Sequence, residues 1–200
     1  MGCAEPNIAA VVRALERVPA YAFSAAGYVY TEVFTSDPNA PPRTSRTATA
    51  FEGAYVAPDR ARTRYTKGEL AQGVPETSIG IGRDMWIQTV EGWQHLPGSV
   101  NPRDANRIRS LLVDAGHGWE TVKPSVSSGL PGRGCLFRAR GPLSDRGRGY
   151  RETIVRVDPN KALPTALRTV VRDAFDPFRN RHDSDLVYVV SYAGTIRIER

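Results

Sequence analysis

The chain has few of the residues and motifs that mark an enzyme, a disulfide-rich domain or a membrane-spanning protein. It contains only two cysteines and three histidines in 200 residues. No run approaches the roughly 20 consecutive apolar residues that span a bilayer. Nucleophile-elbow, phosphate-loop and zinc-protease motifs are missing, and the Gly-x-Gly turns at 80–82 and 132–134 lack the third glycine of a dinucleotide loop. An enzyme is therefore disfavoured, and the sequence predicts no catalytic residues, no cofactor and no metal site.

Lysine is scarce, although the chain is basic. Only three of the 27 basic residues are lysines, and the formal net charge is +6. The arginines alternate with acidic residues and form no dense basic tract, so nucleic acid is not an expected partner. One ordered stripe stands out: Arg60, Arg62 and Arg64 would share one face of a strand. Either a solvated strand face or an anion-binding patch explains it.

Hydrophobic residues are numerous enough for a core. They make up 40% of the 200 residues, which excludes disorder as the main state. This length is ordinary for one domain and short for two. The sequence therefore predicts a flexible tether over residues 1–6 and a single domain over residues 7–200.

Two amphipathic helices are predicted. The first spans Ile8 to Val18, with Asn7 as its cap and Pro19 ending it. The second begins with Asn101 as its cap and Pro102 at the first helical position, and Gly116 ends it. Its apolar stripe consists of Ile108, Leu111, Leu112 and Ala115.

The rest of the chain has the pattern of an antiparallel meander, with short stretches of Tyr, Phe, Val and Thr between turn residues. The segment from 116 to 133 is expected to be a loop, and 166–172 suits either a strand or a helix. The fold class that follows is α+β, with one antiparallel sheet that curls without closing and helices that cover its concave face. The predicted strands are 21–35, 46–56, 61–70, 76–81, 85–90, 93–96, 134–140, 150–158, 166–172 and 185–198.

The N-terminus contains a cysteine in an unusual setting. Gly2-Cys3-Ala4 looks like the end of a bacterial lipobox, which would make Cys3 a lipidation site and place Met1 where a signal peptide was removed. Eukaryotic dual acylation fits poorly, because Pro6 stands where N-myristoylation favours Ser or Thr. An ordinary exposed cysteine is the other interpretation. Because this terminus is expected to be mobile, Cys3 and Cys135 are predicted not to form a structural disulfide.

Three segments resemble a known family in the same order along the chain. Residues 51–62 (FEGAYVAPDRAR), 76–86 (ETSIGIGRDMW) with Gly92-Trp93, and 191–198 (SYAGTIRI) are similar to the hairpins and closing strand of LolA-like cell-envelope proteins, including lipoproteins of the LprG and LppX kind. Asp158-Pro159 and Leu163-Pro164 match the turn before their late strands. The resemblance covers most of the chain from Ala20.

The resemblance implies a strongly curved half-barrel whose hydrophobic cavity accommodates acyl chains. Its expected function is the non-enzymatic binding or carriage of lipids or acylated molecules outside the cytoplasm, at the cell membrane or in the periplasm, with a lipid anchor. Lipid, the membrane and another envelope protein are the expected partners. The alternatives are an envelope sensor of the anti-sigma type that binds a protein, or a hydrolase with an unrecognised site.

Apolar side chains on the strands and helices are the candidate cavity walls, with ordinary core packing as the alternative. The helix from Pro102 to Ala115 is expected to cover the cavity as a movable lid. The candidates are Phe23, Phe51, Tyr55, Ile79, Ile81, Trp86, Ile108, Leu111, Leu112, Phe137 and Val189.

Overall fold

The described residues of the computed structural model form two helices and eleven strands. The structure describes residues 7–34, 40–67, 76–89, 91–100, 105–116, 118–123, 129–143, 149–175, 180–192 and 194–198. The helices are α1 (Ile8–Glu16) and α2 (Arg107–Asp114). The strands are β1 (Ala20–Val33), β2 (Arg43–Val56), β3 (Arg60–Lys67), β4 (Thr77–Ile81), β5 (Asp84–Thr89), β6 (Gly92–Leu96), β7 (Glu120–Val122), β8 (Cys135–Pro142), β9 (Tyr150–Asp158), β10 (Leu163–Phe175) and β11 (Arg181–Ser191).

Helix α1 forms where its periodicity predicts it. The side chain of Asn7 caps the helix, since its Oδ1 accepts a hydrogen bond of 2.9 Å from the backbone N–H of Ala10. Val11 and Leu15, one turn apart, are buried. This stripe is the face that packs on the sheet.

Helix α2 lies within the second predicted helix. Asn101 and Pro102, the predicted start, lie outside the described residues. The cap of α2 is Asn106, whose Oδ1 accepts a hydrogen bond of 3.1 Å from the backbone N–H of Arg109. Ile108, Leu111 and Leu112 are buried, as the predicted apolar stripe required.

All strands belong to one antiparallel sheet in the order β6-β5-β4-β3-β2-β1-β11-β10-β9-β8-β7. The order ends at β6 and β7, which do not pair with each other, so the sheet is unclosed. With two helices against the sheet, this confirms the predicted α+β fold class. The segment that suited either a helix or a strand lies within β10.

Two strand predictions need correction. The last strand, expected to run to Ile198, ends at Ser191, and residues 194–198 are irregular. The predicted loop from 116 to 133 contains the short strand β7, which pairs with β8. β7 has only three residues, too few to show an alternating pattern.

Alternation along the strands defines two faces of the sheet. The face that α1 and α2 cover is called the inner face, and the other is the outer face. On β1, Tyr21, Phe23 and Ala25 point inwards and are buried, whereas Ser24 and Ala26 point outwards and are exposed. None of the helices in the described part of the chain is long and apolar enough to cross a membrane.

Candidate functional site

Most of the predicted wall residues lie together on the inner face. One buried cluster contains seven of them: Phe23, Phe51, Tyr55, Ile108, Leu111, Leu112 and Phe137. Residues of β9, β10 and β11 extend the same cluster, which therefore runs across the sheet beneath both helices. The inner face is the apolar layer expected of a half-barrel.

Four other predicted wall residues lie on the outer face. Ile79 pairs with Arg62 on β3, and the same row of paired residues continues across β2 to Ala22 on β1. Ala22 lies between two inward-pointing residues of β1, so the side chains of this row point outwards. Trp86 pairs with Ile79. By the same alternation Ile81 points outwards, and so does Val189, which is 42% exposed. These side chains cannot contribute walls to an inner cavity.

A buried tyrosine anchors the start of α2 to the sheet. The Tyr21 hydroxyl donates a hydrogen bond of 2.9 Å to Asn106 Oδ1 and accepts one of 3.1 Å from the backbone N–H of Ile108. Tyr21 and Asn106 thereby satisfy two amides of the first helical turn. Burial raises the pKa of Tyr21 well above its ordinary value, so the hydroxyl stays protonated.

An inner cavity of about 380 Å³ opens beside this anchor, between the sheet and the start of α2. Such a volume is within the range of about 300–1,000 Å³ typical of small-molecule sites. The register turns the side chains of Ala54 and Arg62 to the outer face, so these two residues contribute backbone to it. The other lining residues are Phe23, Phe51, Ala61, Thr63, Tyr65, Ser78, Met85, Ala105 and Arg107.

Aromatic side chains form one wall of the inner cavity. The ring centroids of Phe23 and Phe51 are 6.3 Å apart, and those of Phe51 and Tyr65 are 5.4 Å apart. Phe23 takes its position because Gly53 faces it on β2, where any Cβ would overlap the ring. Because glycine has no side chain, the ring of Phe23 can lie close to the backbone of β2.

Helix α2 borders this cavity with its N-terminal end and not with its apolar stripe. Ala105 and Arg107 line the cavity. Ile108, Leu111 and Leu112 are instead packed in the core. The inner cavity therefore lies beside the start of α2 and not beneath its apolar stripe, where it was expected.

Sequence reasoning missed several lining residues. Ala61, Thr63 and Tyr65 alternate on β3, and this pattern could have identified them once the Arg60-to-Arg64 stripe was assigned to the opposite face. Ala105 and Arg107 carried no such signal, because they precede the apolar stripe. Their place depends on the anchor between α2 and Tyr21.

The cysteine prediction is contradicted. Cys135, buried on the inner face, is disulfide-bonded. The chain has one other cysteine, Cys3, which lies outside the described residues. A cysteine sulfur that carries the thioether of a lipid anchor cannot also form a disulfide bond.

The described residues contain no group of three or more His, Cys, Asp or Glu side chains that could hold a metal ion. His95 Nε2 lies 3.4 Å from Asp84 Oδ2, and its ring stacks on Trp86 at 4.8 Å between centroids. Both partners of this ion pair are more than 40% exposed, at 47% and 42%. The inner cavity, with its apolar wall, is the stronger candidate site.

Similarity to known proteins is found among solved structures. Neither a family profile nor a curated protein matches the chain. Among solved structures, a LolA superfamily protein from Nitrosomonas europaea is similar over 92% of this chain and 90% of its own, with 12% sequence identity and a TM-score of 0.33.

Proposed function

We propose that this protein binds the acyl chains of lipids or lipidated molecules in the inner cavity, as a non-enzymatic carrier at the bacterial cell envelope. The observation that carries the proposal is the apolar wall of Phe23, Phe51, Tyr65 and Met85 around a cavity of about 380 Å³. The resemblance of the sequence to LolA-like proteins supports the envelope location.

Apolar walls alone supply enough free energy for this function. Burial of a methylene group is worth about 0.8 kcal/mol, so a dozen yield roughly 10 kcal/mol before the costs of ordering and association. The lining includes one charged side chain that points inwards, Arg107, which is exposed at the rim. Affinity should therefore depend on the size and dryness of the cavity more than on charge.

A fluorescent fatty acid, displaced by unlabelled fatty acid, tests the proposal. Ala61→Trp places a large side chain in the cavity and should lower affinity at least tenfold. The matched control is Thr66→Trp on the same strand, since Thr66 is exposed on the outer face. Equal binding by both variants, with unchanged thermal unfolding, would contradict an inner acyl site.

Arg107→Gln separates the contribution of charge. The guanidinium is exposed and water screens its attraction for a carboxylate, so we expect a loss of affinity below about fivefold. A loss larger than that of Ala61→Trp would assign the binding energy to the headgroup and overturn the apolar mechanism.

Native mass spectrometry of protein purified from cells tests the carrier role. A carrier should retain lipid, and the amount should fall in Ala61→Trp but not in Thr66→Trp. Protein that is empty in every preparation, and that takes up no lipid from vesicles, would contradict carriage.

A further inference from the structure

The outer face of the sheet has a groove of its own. It measures about 530 Å³ and lies between the middle strands and the chain's last described segment, 194–198. The groove is on the opposite side of the sheet from the inner cavity, because Ala22, Ser24 and Ala54 line it with outward side chains. Its other lining residues are Phe23, Glu52, Gly53, Arg62, Val189, Ser191, Thr195, Ile196, Arg197 and Ile198.

The groove exists because the chain turns across the sheet after β11. Ile198 is only 4% exposed, so its side chain secures the segment 194–198 against the outer face. The strand residues opposite are small, which leaves depth between them and the segment. Ile198 and Val189 give the groove an apolar part.

The charges of the groove do not balance. Among the described lining residues, Glu52 supplies the one carboxylate, and Arg64 Nη2 pairs with that carboxylate at 2.9 Å. Two guanidinium groups remain, those of Arg62 and Arg197. Neither has a hydrogen bond or ion pair with any residue in the described ranges.

Arg62 also lines a second outer cavity, of about 300 Å³, on the other side of its strand. That cavity is bordered by Arg64 and by Trp93, which is 51% exposed. The arginine stripe of β3 thus separates two recesses of the outer face. Such a pair of unpaired guanidinium groups suits a phosphate, whose oxygens accept their N–H groups in a bidentate manner.

We propose that the outer groove binds a phosphate-bearing amphiphile, with its phosphate held by Arg62 and Arg197 and its apolar part against Val189 and Ile198. This site is independent of the inner cavity, because the two are on opposite faces of the sheet. Of the two interpretations of the arginine stripe, this proposal favours the anion-binding patch, with a phosphate group as its ligand.

Isothermal titration with a short-chain phosphatidic acid below its micelle concentration, and with inorganic phosphate, tests the proposal. The amphiphile should bind at least tenfold more tightly than inorganic phosphate, because only the amphiphile uses the apolar part. Equal affinities would show a free-phosphate site and overturn the amphiphile assignment.

Charge variants test the role of the arginines. Arg62→Gln and Arg197→Gln should each weaken binding of phosphatidic acid about tenfold, because each removes charged hydrogen bonds to the phosphate. Arg43→Gln is the control, since Arg43 is exposed at the far end of β2 and does not line the groove. Equal effects of all three would indicate unspecific attraction and overturn the site.

Steric variants locate the ligand. Ser24→Trp fills the groove from its floor and should abolish phosphatidic acid binding, whereas Ala26→Trp, also exposed on the outer face of β1, should leave it. Fatty-acid binding in the inner cavity should be retained in Ser24→Trp and lost in Ala61→Trp. Phosphatidic acid binding that followed Ala61→Trp instead would place the amphiphile in the inner cavity and overturn the proposal.

Discussion

The hydroxyl of Tyr21 donates a hydrogen bond to Asn106, 85 residues away in the sequence, and the two side chains together hold the first turn of α2. The contact ties the helix to β1 at the end where the inner cavity opens. A helix held at this point does not move freely as a lid. Any opening would have to break a buried hydrogen bond or pivot about it.

Loss of this hydroxyl should destabilise the fold. Tyr21→Phe leaves Asn106 Oδ1 and the amide of Ile108 without their partner in a buried place, at a cost of about 1–3 kcal/mol. Tyr188→Phe is the matched control, because Tyr188 is equally buried on the inner face and its hydroxyl has no hydrogen bond to a described residue. Urea unfolding measures the stability of both variants. Equal losses of stability would contradict the role of the Tyr21 hydroxyl in holding α2.

The positions of the strands could be predicted from the local sequence. Turn residues such as Pro58-Asp59 and Gly82-Arg83 interrupt alternating stretches, and local alternation needs no distant partner to be recognised. β4 and β9 begin and end within a residue of their predicted bounds. The pairing of β1 with β11 joins strands that are far apart in the sequence, so local alternation could not predict it.

Contacts between residues distant in the sequence decide which side chains of a strand face the helices. They also influence where a helix begins. Alternation divides a strand into two sets but does not say which set meets the helices. Ile79 was expected to face the cavity, yet its pairing with Arg62 sends it outwards. Likewise the cap of α2 is Asn106, which the distant Tyr21 supports, whereas the predicted cap Asn101 lies outside the described residues.

Overpacking should distinguish the core stripe of α2 from a cavity lining. Leu112→Trp should lower the free energy of unfolding by about 1–3 kcal/mol, because Leu112 is buried in the core cluster and a larger side chain overpacks it. Val113→Trp, one residue further, should have little effect, since Val113 is 49% exposed. An increased or unchanged free energy of unfolding in Leu112→Trp would instead indicate an unfilled space beneath α2.

A methyl group at Gly53 should disturb the aromatic wall. In Gly53→Ala the new Cβ overlaps the ring of Phe23, which must move towards the cavity, and we expect stability to fall by about 1–3 kcal/mol. Fatty-acid affinity should fall as well. Gly80→Ala is the control, because a Cβ there meets Val100 at an ordinary distance of 3.7 Å. Equal unfolding curves for the two variants would show that Phe23 adjusts without cost.

The state of the cysteines has a direct test. Peptide mapping without reductant should recover Cys135 in a disulfide, as the structure has it. Because the chain has only two cysteines, the linked peptide should be the one that contains Cys3. A peptide of Cys3 with the mass of a diacylglyceryl group, together with a free Cys135 thiol, would instead support the lipid anchor.

The last prediction concerns stability in acid. Arg168 binds Asp185 through two hydrogen bonds, Nε to Oδ1 at 2.8 Å and Nη2 to Oδ2 at 2.7 Å. This pairing lowers the pKa of Asp185 in the folded protein, while Arg172 lies farther away at 3.9 Å. The unfolded chain should titrate near the ordinary aspartate value of about 3.9.

A carboxyl group with a lowered folded pKa stabilises the fold above its unfolded pKa, and the contribution disappears as pH falls through the folded value. The free energy of unfolding of the wild type should therefore exceed that of Asp185→Asn most above about pH 4, and the difference should shrink in stronger acid. Urea unfolding from pH 7 to pH 2 measures this difference. Arg168→Met should flatten the same part of the profile, because the carboxyl group then loses its main partner. If Arg168→Met retained the acid-dependent loss of the wild type, the stabilisation would belong to another pair.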